Sequence, residues 1–252
     1  MKTLSASTLA FSLLTTHSIA SLADSQEDSG ELAVGIIGFS EPSIYTGGER
    51  SDNLLPYLAW ESDNWFFRDY TLGSYLAGGD SWYLSAALGY DVFGDVNRGD
   101  SPQLKDMKEL DPVYSAVVSA GLFGSLGYLS LSYWQDISDN HRGGSTVLSY
   151  SLPVEAQRWT IEPHLSVTYA GSQAARYYLG VEADEARAGR PEYRPDQAHH
   201  YRAGINVSRL FGRSHRVLFD LSHRRFSDEI EDSPIVDRNT TWAVSAGYVY
   251  EF

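Results

Sequence analysis

Residues 241–252 alternate strictly between two kinds of side chain, and this alternation limits the possible folds more than any other feature of the sequence. The apolar set ends in aromatic residues and consists of Trp242, Val244, Ala246, Tyr248, Tyr250 and Phe252. The intervening set is small or polar and consists of Thr241, Ala243, Ser245, Gly247, Val249 and Glu251. Successive side chains of a β-strand point to opposite faces, so each set shares one face. Such a strand is typical of a wall with lipid outside and a polar lumen inside.

The same alternation recurs along the chain. Between 159 and 169, the apolar residues Trp159, Ile161, Pro163, Leu165, Val167 and Tyr169 alternate with Thr160, Glu162, His164, Ser166 and Thr168. Further strand candidates are 31–39, 53–61, 64–77, 80–92, 112–123, 127–134, 143–152, 199–211 and 214–226. No run beyond the N-terminal segment approaches the roughly 18 apolar residues of a membrane-spanning helix. A closed barrel also pairs every backbone polar group within lipid, so the sequence predicts an all-β, antiparallel transmembrane β-barrel.

The strand count depends on one early segment. With 242–252 the candidates number eleven, whereas single-chain bacterial barrels generally have an even number of strands. Residues 64–77 carry Arg68, Asp69 and Gly73 in the middle, so we predict that this segment divides in two and gives twelve strands. Ten strands is the alternative, if one early segment does not span the membrane.

The connections alternate between short and long. Tight turns are predicted at 78–80, 124–125, 153–157 and 212–213, whereas long polar connections occupy 95–111, 137–142, 171–198 and 227–239. Short periplasmic turns and long extracellular loops are the usual plan of bacterial outer-membrane barrels. We therefore expect the C-terminus on the periplasmic side.

The two ends of the sequence predict export to the outer membrane. Residues 1–23 have a basic start, an apolar stretch and small residues before a cleavage point, as in a signal peptide. Cleavage is expected after Ala23, with Ala20 as the alternative, which leaves 24–252 as one barrel domain. The terminal Phe252, after Tyr248 and Tyr250, resembles the C-terminal signal that such barrels present to their assembly machinery.

Composition excludes several classes of function. The chain has no cysteine, so disulfides and thiolate metal sites are absent. A formal net charge of −14 lacks the basic footprint of a nucleic-acid-binding protein. The mean hydropathy of −0.29 is compatible with a barrel, in which only alternate strand residues need to be apolar. No cofactor is predicted.

Two sets of residues invite a catalytic interpretation. Glu162, His164 and Thr168 share the predicted inner face and are candidates for a polar lumen network; a hydrogen-bonded structural network is favoured over an acid–base site. Asp-Ser-Pro occurs at 100–102 and again at 232–234. A serine nucleophile needs an activating base and an oxyanion site, and Asp-Ser-Pro is also an ordinary turn sequence. The sequence therefore predicts a protein that is not an enzyme.

Charged and histidine residues of the loops leave more than one interpretation open. His199 and His200 are strand neighbours and point to opposite faces, which argues against a shared metal. The acidic segment 227–239 is interpreted as a solvated loop rather than a Ca²⁺ or Mg²⁺ site. Three arginines of the longest loop either bind lipopolysaccharide phosphates or form internal ion pairs: Arg187, Arg190 and Arg194.

Several local stretches resemble one family of outer-membrane proteins. They are Gly35–Gly47 with its Pro-Ser-Ile-Tyr-Thr-Gly turn, Leu54–Tyr57, Tyr177–Val181 followed by Glu185-Ala186 and Gly189, Ser233–Val236, and the final Tyr250-x-Phe252. In this order and spacing they resemble the MipA/OmpV family over nearly the whole mature chain. The chain departs from the family pattern at Phe93-Gly94-Asp95 and at 140–144, both in connections.

The resemblance implies a non-enzymatic scaffold or interaction protein of the cell envelope, because the family includes a scaffold for a murein lytic transglycosylase. The expected partners are outer-membrane lipid, lipopolysaccharide and a peptidoglycan hydrolase complex, with adhesion through the loops as a variant. The alternative function is a narrow channel for small solutes or antibiotics. Tyr128, Trp134, Glu162 and His164 are predicted to crowd the lumen of a barrel of this size.

Overall fold

A computed structural model describes residues 31–91 and 93–252, so the predicted signal peptide lies outside the described residues. Most of the described chain is strand. The strands are β1 (Glu31–Glu41), β2 (Ser51–Glu61), β3 (Trp65–Arg68), β4 (Thr71–Gly79), β5 (Trp82–Tyr90), β6 (Tyr114–Gly124), β7 (Gly127–Asp136), β8 (Gly144–Ser151), β9 (Val154–Ala156), β10 (Trp159–Gly171), β11 (Gln197–Phe211), β12 (His215–Phe226) and β13 (Thr240–Glu251). In the described ranges, two short α-helices, α1 (Ser172–Leu179) and α2 (Asp228–Glu231), and a 3-10 helix at Arg98–Asp100 lie in loops.

The strands form a closed antiparallel barrel. Apart from β8 and β9, which both pair with β10, each strand pairs with its sequence neighbours. The pairings of β13 with β1 and of β10 with β11 close the wall. Ser151 of β8 lies opposite His164, and Val154 of β9 lies opposite Ile161 in the same register. Thus β8 and β9 are one barrel strand with a short interruption, and the described chain forms a barrel of twelve strands.

The prediction of twelve strands is confirmed, and the alternative of ten is wrong. The segment 64–77 divides as predicted, because β3 and β4 form a hairpin around the two-residue turn Asp69–Tyr70. Both turn residues have positive φ, 48° and 58°. This is the backbone geometry of the tight turn that matches the twist of a two-residue hairpin.

Inward and outward faces follow the sequence alternation. On β13, Trp242 is 57% exposed and Tyr248 is 42% exposed, whereas Thr241 and Ser245 are buried. On β10, Leu165 is exposed and Glu162 is buried. Apolar residues that a soluble protein would bury therefore cover the outside of the wall, as contact with lipid requires.

The long connections lie at one end of the barrel, here called the cap end. The short turns lie at the other, the turn end, except for the Asp69–Tyr70 turn, which lies within the wall beside Pro56. Tyr45, from the 42–50 connection, and Tyr178, from α1, are fully buried at the cap end. Their cluster also includes Phe93 and Met107, from the connection between β5 and β6, and Ile235, from the connection between β12 and β13. The loops were predicted to be long and polar; instead they pack as a cap with its own apolar core. No helix in the described ranges has the length and apolarity needed to cross a membrane.

The facing of β13 makes a prediction about stability. Ala246 lies on the exposed face, near the middle of the strand. Ala246→Arg should lower the free energy of unfolding in liposomes by about 2–4 kcal/mol if the side chain meets the bilayer midplane. Ala246→Leu is the control and should leave the free energy of unfolding nearly unchanged. An equal loss in both variants would contradict the lipid-facing assignment.

Candidate functional site

The inner wall carries a row of polar residues across four neighbouring strands. Glu162 lies opposite Asn206, Asn206 opposite Asp220, and Asp220 opposite Ser245. All four are at least 98% buried from solvent. Both amide atoms of Asn206, Oδ1 of Asp220 and Oγ of Ser245 lack a protein hydrogen-bond partner. Buried polar atoms normally find a partner in protein or ordered water, so this row makes the middle of the lumen a place for water or a polar ligand.

His164 joins this row by crossing a strand. Its Nε2 lies 2.8 Å from Oδ2 of Asp220, which is two strands away. Between them stands Gly204, the register partner of His164; a Cβ there would lie 2.5 Å from the imidazole Cε1. The missing side chain at Gly204 therefore allows the His164–Asp220 contact.

The three lumen candidates do not form a single site. Glu162 and His164 line one lumen cavity of about 170 Å³, together with Tyr128 and Trp134. Thr168 is buried closer to the cap end, opposite His200. At about 3.3 Å per residue, Thr168 lies roughly 13 Å along the strand from His164. The sequence placed all three on one face, but the structure brings only two of them together.

Two charged clusters of the lumen were not singled out from the sequence. On the wall of β2–β4, the Tyr75 hydroxyl donates to Glu61 at 2.5 Å, and Arg68 lies 3.6 Å from the same carboxylate. Near the cap end, the Thr241 hydroxyl donates to Glu41 at 2.7 Å. Arg224 lies 3.4 Å from the other oxygen of Glu41. Both clusters could have been found in the sequence by searching for charged residues at inward-facing positions of alternating strands.

The cap joins the barrel through a buried group around Asp91. Nδ1 of His141 accepts a hydrogen bond from the Gly143 amide at 2.9 Å, so Nε2 carries the proton that faces Asp91 Oδ2 at 3.1 Å. The Tyr178 hydroxyl donates to the same oxygen at 3.2 Å. Burial, followed by the charge of Asp91, raises the pKa of Tyr178 well above its ordinary value, which keeps the phenol protonated as a donor. These contacts hold α1 and two cap loops on the end of the barrel.

Both departures from the family pattern lie at this group. His141 belongs to the 140–144 departure. In the other, Gly94 approaches Tyr178 so closely that a Cβ at 94 would lie 2.3 Å from the Tyr178 ring. A cap cavity of about 190 Å³ lies beside them, lined by Tyr178, Asp95 and His200 among others. The residues of the second of these departures, Phe93, Gly94 and Asp95, line this cavity, whereas 140–144 do not.

The Asp-Ser-Pro serines are structural. The hydroxyl of Ser101 donates to the carbonyl of Thr46 at 2.5 Å, and that of Ser233 donates to the carbonyl of Leu179 at 2.7 Å. Both serines are buried. Each joins two cap loops. Turns at 102–103 and 234–235 agree with the interpretation of these sequences as turns.

The loop arginines form internal ion pairs. Arg187 and Arg190 both pair with Asp106, at 3.1 and 2.6 Å. Arg194 pairs with Glu182 at 3.0 Å. Of the two alternatives, internal pairing is therefore the one that the structure contains.

The neighbouring histidines separate as the strand period requires. His199 lies 3.9 Å from Glu229, while His200 is buried against the rings of Phe93 and Phe226. In the described part of the chain, no group of three or more His, Asp or Glu side chains is arranged to hold a metal ion.

The turn end carries the predicted assembly residues. The Tyr248 hydroxyl lies 2.6 Å from Nδ1 of His215, and the Tyr250 and Phe252 rings lie 4.8 Å apart. Phe252 is 74% exposed, and its amide donates to the Leu32 carbonyl at the β1–β13 seam. Their role as an assembly signal stays a prediction. Beside them is a cavity of about 340 Å³, lined by Arg213, Phe252 and further residues of the barrel rim.

The sequence model of the family described as MltA-interacting protein MipA matches residues 34–252, which is nearly all of the barrel and its cap. The chain belongs to the MipA/OmpV family. The resemblance stated from the sequence is therefore confirmed.

Relatives within the MipA/OmpV family support the location. The MltA-interacting protein of Escherichia coli K12 is 27% identical over 201 residues, 79% of this chain and 81% of that protein. Outer membrane protein OmpV of Vibrio cholerae is 25% identical over 185 residues, 66% of this chain and 72% of that protein. Outer membrane protein Omp26La of Vibrio anguillarum is 24% identical over 169 residues, 66% of this chain and 65% of that protein. With the closed barrel, these relatives identify this chain as an outer-membrane protein, and none of the three names describes an enzyme.

The contact of His164 with Asp220 is expected to depend on Gly204. Gly204→Ala should lower the free energy of unfolding by about 1–3 kcal/mol, because the added methyl group displaces the imidazole in a packed wall. Gly38→Ala is the matched control, since the nearest atom to its Cβ is 3.5 Å away. Chemical denaturation in detergent measures both. Equal stability of the two variants would show that Gly204 does not make room for His164.

The cap is expected to loosen separately from the barrel. Tyr178→Ala should lower cap stability by about 3–5 kcal/mol through the cavity it leaves, and should expose 172–196 to added protease. Tyr178→Phe keeps the ring and loses one hydrogen bond, so it should cost about 1 kcal/mol. Limited proteolysis, with a gel shift between heated and unheated samples to report the barrel, separates the two effects. Protection of 172–196 in Tyr178→Ala would contradict the role of this residue.

Proposed function

We propose that this protein is a non-enzymatic interaction protein of the outer membrane, which binds a peptidoglycan hydrolase of the lytic transglycosylase class through its turn end. The observation that carries the proposal is the packed cap, whose fully buried Tyr45 and Tyr178 cover the opposite end of the barrel. Because the cap closes this end, the outer surfaces of the barrel, rather than a passage through it, are available for binding.

The turn end has the features of a binding surface. Its rim combines exposed apolar groups, Leu126 at 83% and Phe252 at 74%, with the exposed charge of Arg213. The adjoining cavity of about 340 Å³ is a concave feature of this end. Exposed apolar patches bordered by polar residues commonly mark protein–protein contacts. The name of the Escherichia coli relative supports an MltA-type partner, and the predicted orientation places this end in the periplasm.

Binding can be measured with the folded protein in nanodiscs and an MltA-type lytic transglycosylase. Arg213→Glu reverses a charge at the turn end, and Lys105→Glu makes the same reversal on an exposed position of the cap. We expect Arg213→Glu to weaken binding by about tenfold, a difference of about 1.4 kcal/mol, and Lys105→Glu to have no effect. Absence of binding by the wild-type protein, or a loss in Lys105→Glu alone, would overturn the proposal.

The second candidate is a narrow channel for small solutes. It is favoured by the lumen cavity of about 170 Å³, which is lined by Glu162, His164 and Arg202. Passage through the barrel would require the cap to open, so Tyr178→Ala should conduct in planar bilayers if the lumen is a pore. Conductance by the wild-type protein would favour the channel over the interaction protein. Lipopolysaccharide binding stays a prediction, since the loop arginines already pair with carboxylates.

A further inference from the structure

Among the strands that the structure describes, β2 is paired along its full length only on the side of β1. β3 is only four residues long, and it pairs with β2 at Trp60 and Glu61 alone. In the ranges that the structure describes, no strand pairs with residues 51–59 on the side away from β1. On this stretch, Leu54 and Leu58 are 67% and 47% exposed on the outer face. The unpaired edge therefore runs through the part of the wall that faces lipid, where unpaired backbone groups are costly.

The tip of the β3–β4 hairpin reaches part of this edge. The Tyr70 hydroxyl donates to the carbonyl of Pro56 at 3.1 Å. Tyr70 does so from a backbone with φ of 58°, which is uncommon for a bulky residue. The Tyr70 side chain thus spans a gap beside β2. A longer β3 would have filled this gap with backbone hydrogen bonds to β2.

A cavity of about 250 Å³ passes around this edge. Its lining includes residues whose side chains alternate across β2, the outward Pro56 and Leu58 and the less exposed Leu55 and Tyr57. The buried Ile37 of β1 completes its inner side. The cavity therefore extends from the outer face of the wall to the inner face.

The same opening adjoins the lumen. Asp69 lines this cavity and also the lumen cavity that contains His164. The other residues around the opening are apolar or aromatic: Ile37, Leu55, Pro56, Tyr57, Leu58, Phe67 and Tyr70. An apolar surface thus leads from the lipid to the edge of the polar lumen.

The chemistry of the edge decides between its possible occupants. Pro56 lies in the middle of the unpaired stretch and lacks an amide donor, which disfavours addition of a strand from another protein. The surrounding outer wall carries Leu54 and Leu72, both more than half exposed, so the medium at the opening is the hydrocarbon layer. A dry cavity of about 150 Å³ is sufficient to bind benzene, and this cavity is larger. We propose that the opening between β2 and the β3–β4 hairpin is a lateral portal that takes the acyl chain of a membrane lipid.

The portal can be tested by lipid quenching, because the native chain has no cysteine. Bimane is attached in Leu55→Cys and the protein is reconstituted into phospholipid brominated in mid-chain. Leu218→Cys is the matched control: Leu218 lies in the same register row through Gly247 and Ile37, points inward, and belongs to a strand that is paired on both sides. Leu58→Cys gives the value for a lipid-facing position.

We expect quenching at Leu55→Cys to approach that at Leu58→Cys and to exceed that at Leu218→Cys several-fold. Tyr70→Ala, which removes the ring across the gap, should increase it further. Equal quenching at Leu55→Cys and Leu218→Cys would overturn the portal. Quenching by brominated free fatty acid but not by brominated phospholipid would overturn the assignment of a membrane lipid as the occupant.

A second measurement needs no label. Native mass spectrometry from mild detergent should show phospholipid retained by the wild-type barrel and several-fold less retained by Leu55→Trp, which fills the opening. Leu54→Trp, on the outer face of the same strand and outside the cavity, should retain lipid like the wild type. A heated-versus-unheated gel confirms that each variant is folded. Equal retention by the two tryptophan variants would contradict the proposal.

Discussion

The structure depends on one constraint: inside a bilayer, every backbone N–H and C=O group needs a partner from the chain itself. The barrel meets it by pairing β13 with β1 and β10 with β11, and by keeping β8 and β9 in one register against β10. Once the wall is closed, the period of two assigns each side chain to lipid or lumen. The unpaired stretch of β2 is an exception to this rule within the lipid-facing wall. Because unpaired backbone groups are costly in lipid, we expect this stretch to have a function.

The closed wall directs the buried polar residues toward the lumen, and the cap covers the lumen at one end of the barrel. The buried Asp91 receives hydrogen bonds from His141 and Tyr178, which come from different cap loops. The apolar cluster around Tyr178 then excludes water from the same place. The cap is therefore a folded unit rather than a set of solvated loops, and the turn end and the lipid-facing wall are the surfaces that remain open to partners.

The candidate functional sites differ in whether their residues lie close together in the sequence. The turn at Ser101 was predicted from the sequence, because a turn needs only its own few residues, here the Gln103 amide that donates to Oγ of Ser101. The bonds from the hydroxyls of Ser101 and Ser233 to other cap loops were not predicted, because their acceptors are distant in sequence. The lumen was predicted less completely. Glu162 and His164 were found from the alternation of one strand, whereas Asp220, which completes the His164 contact, lies two strands away.

The sequence by itself determined the all-β barrel, the inward and outward faces, the short and long connections, and the division of 64–77 that gives twelve strands. These properties depend on alternation and turn chemistry, which act over a few residues. Only the tertiary structure decided that the loops pack into a cap, that Gly204 lets His164 reach Asp220, and that β3 is too short to cover β2. The first two depend on residues distant in sequence, and the third depends on the register of β3 against β2. A local pattern specifies which face a side chain takes but not what it meets across the barrel.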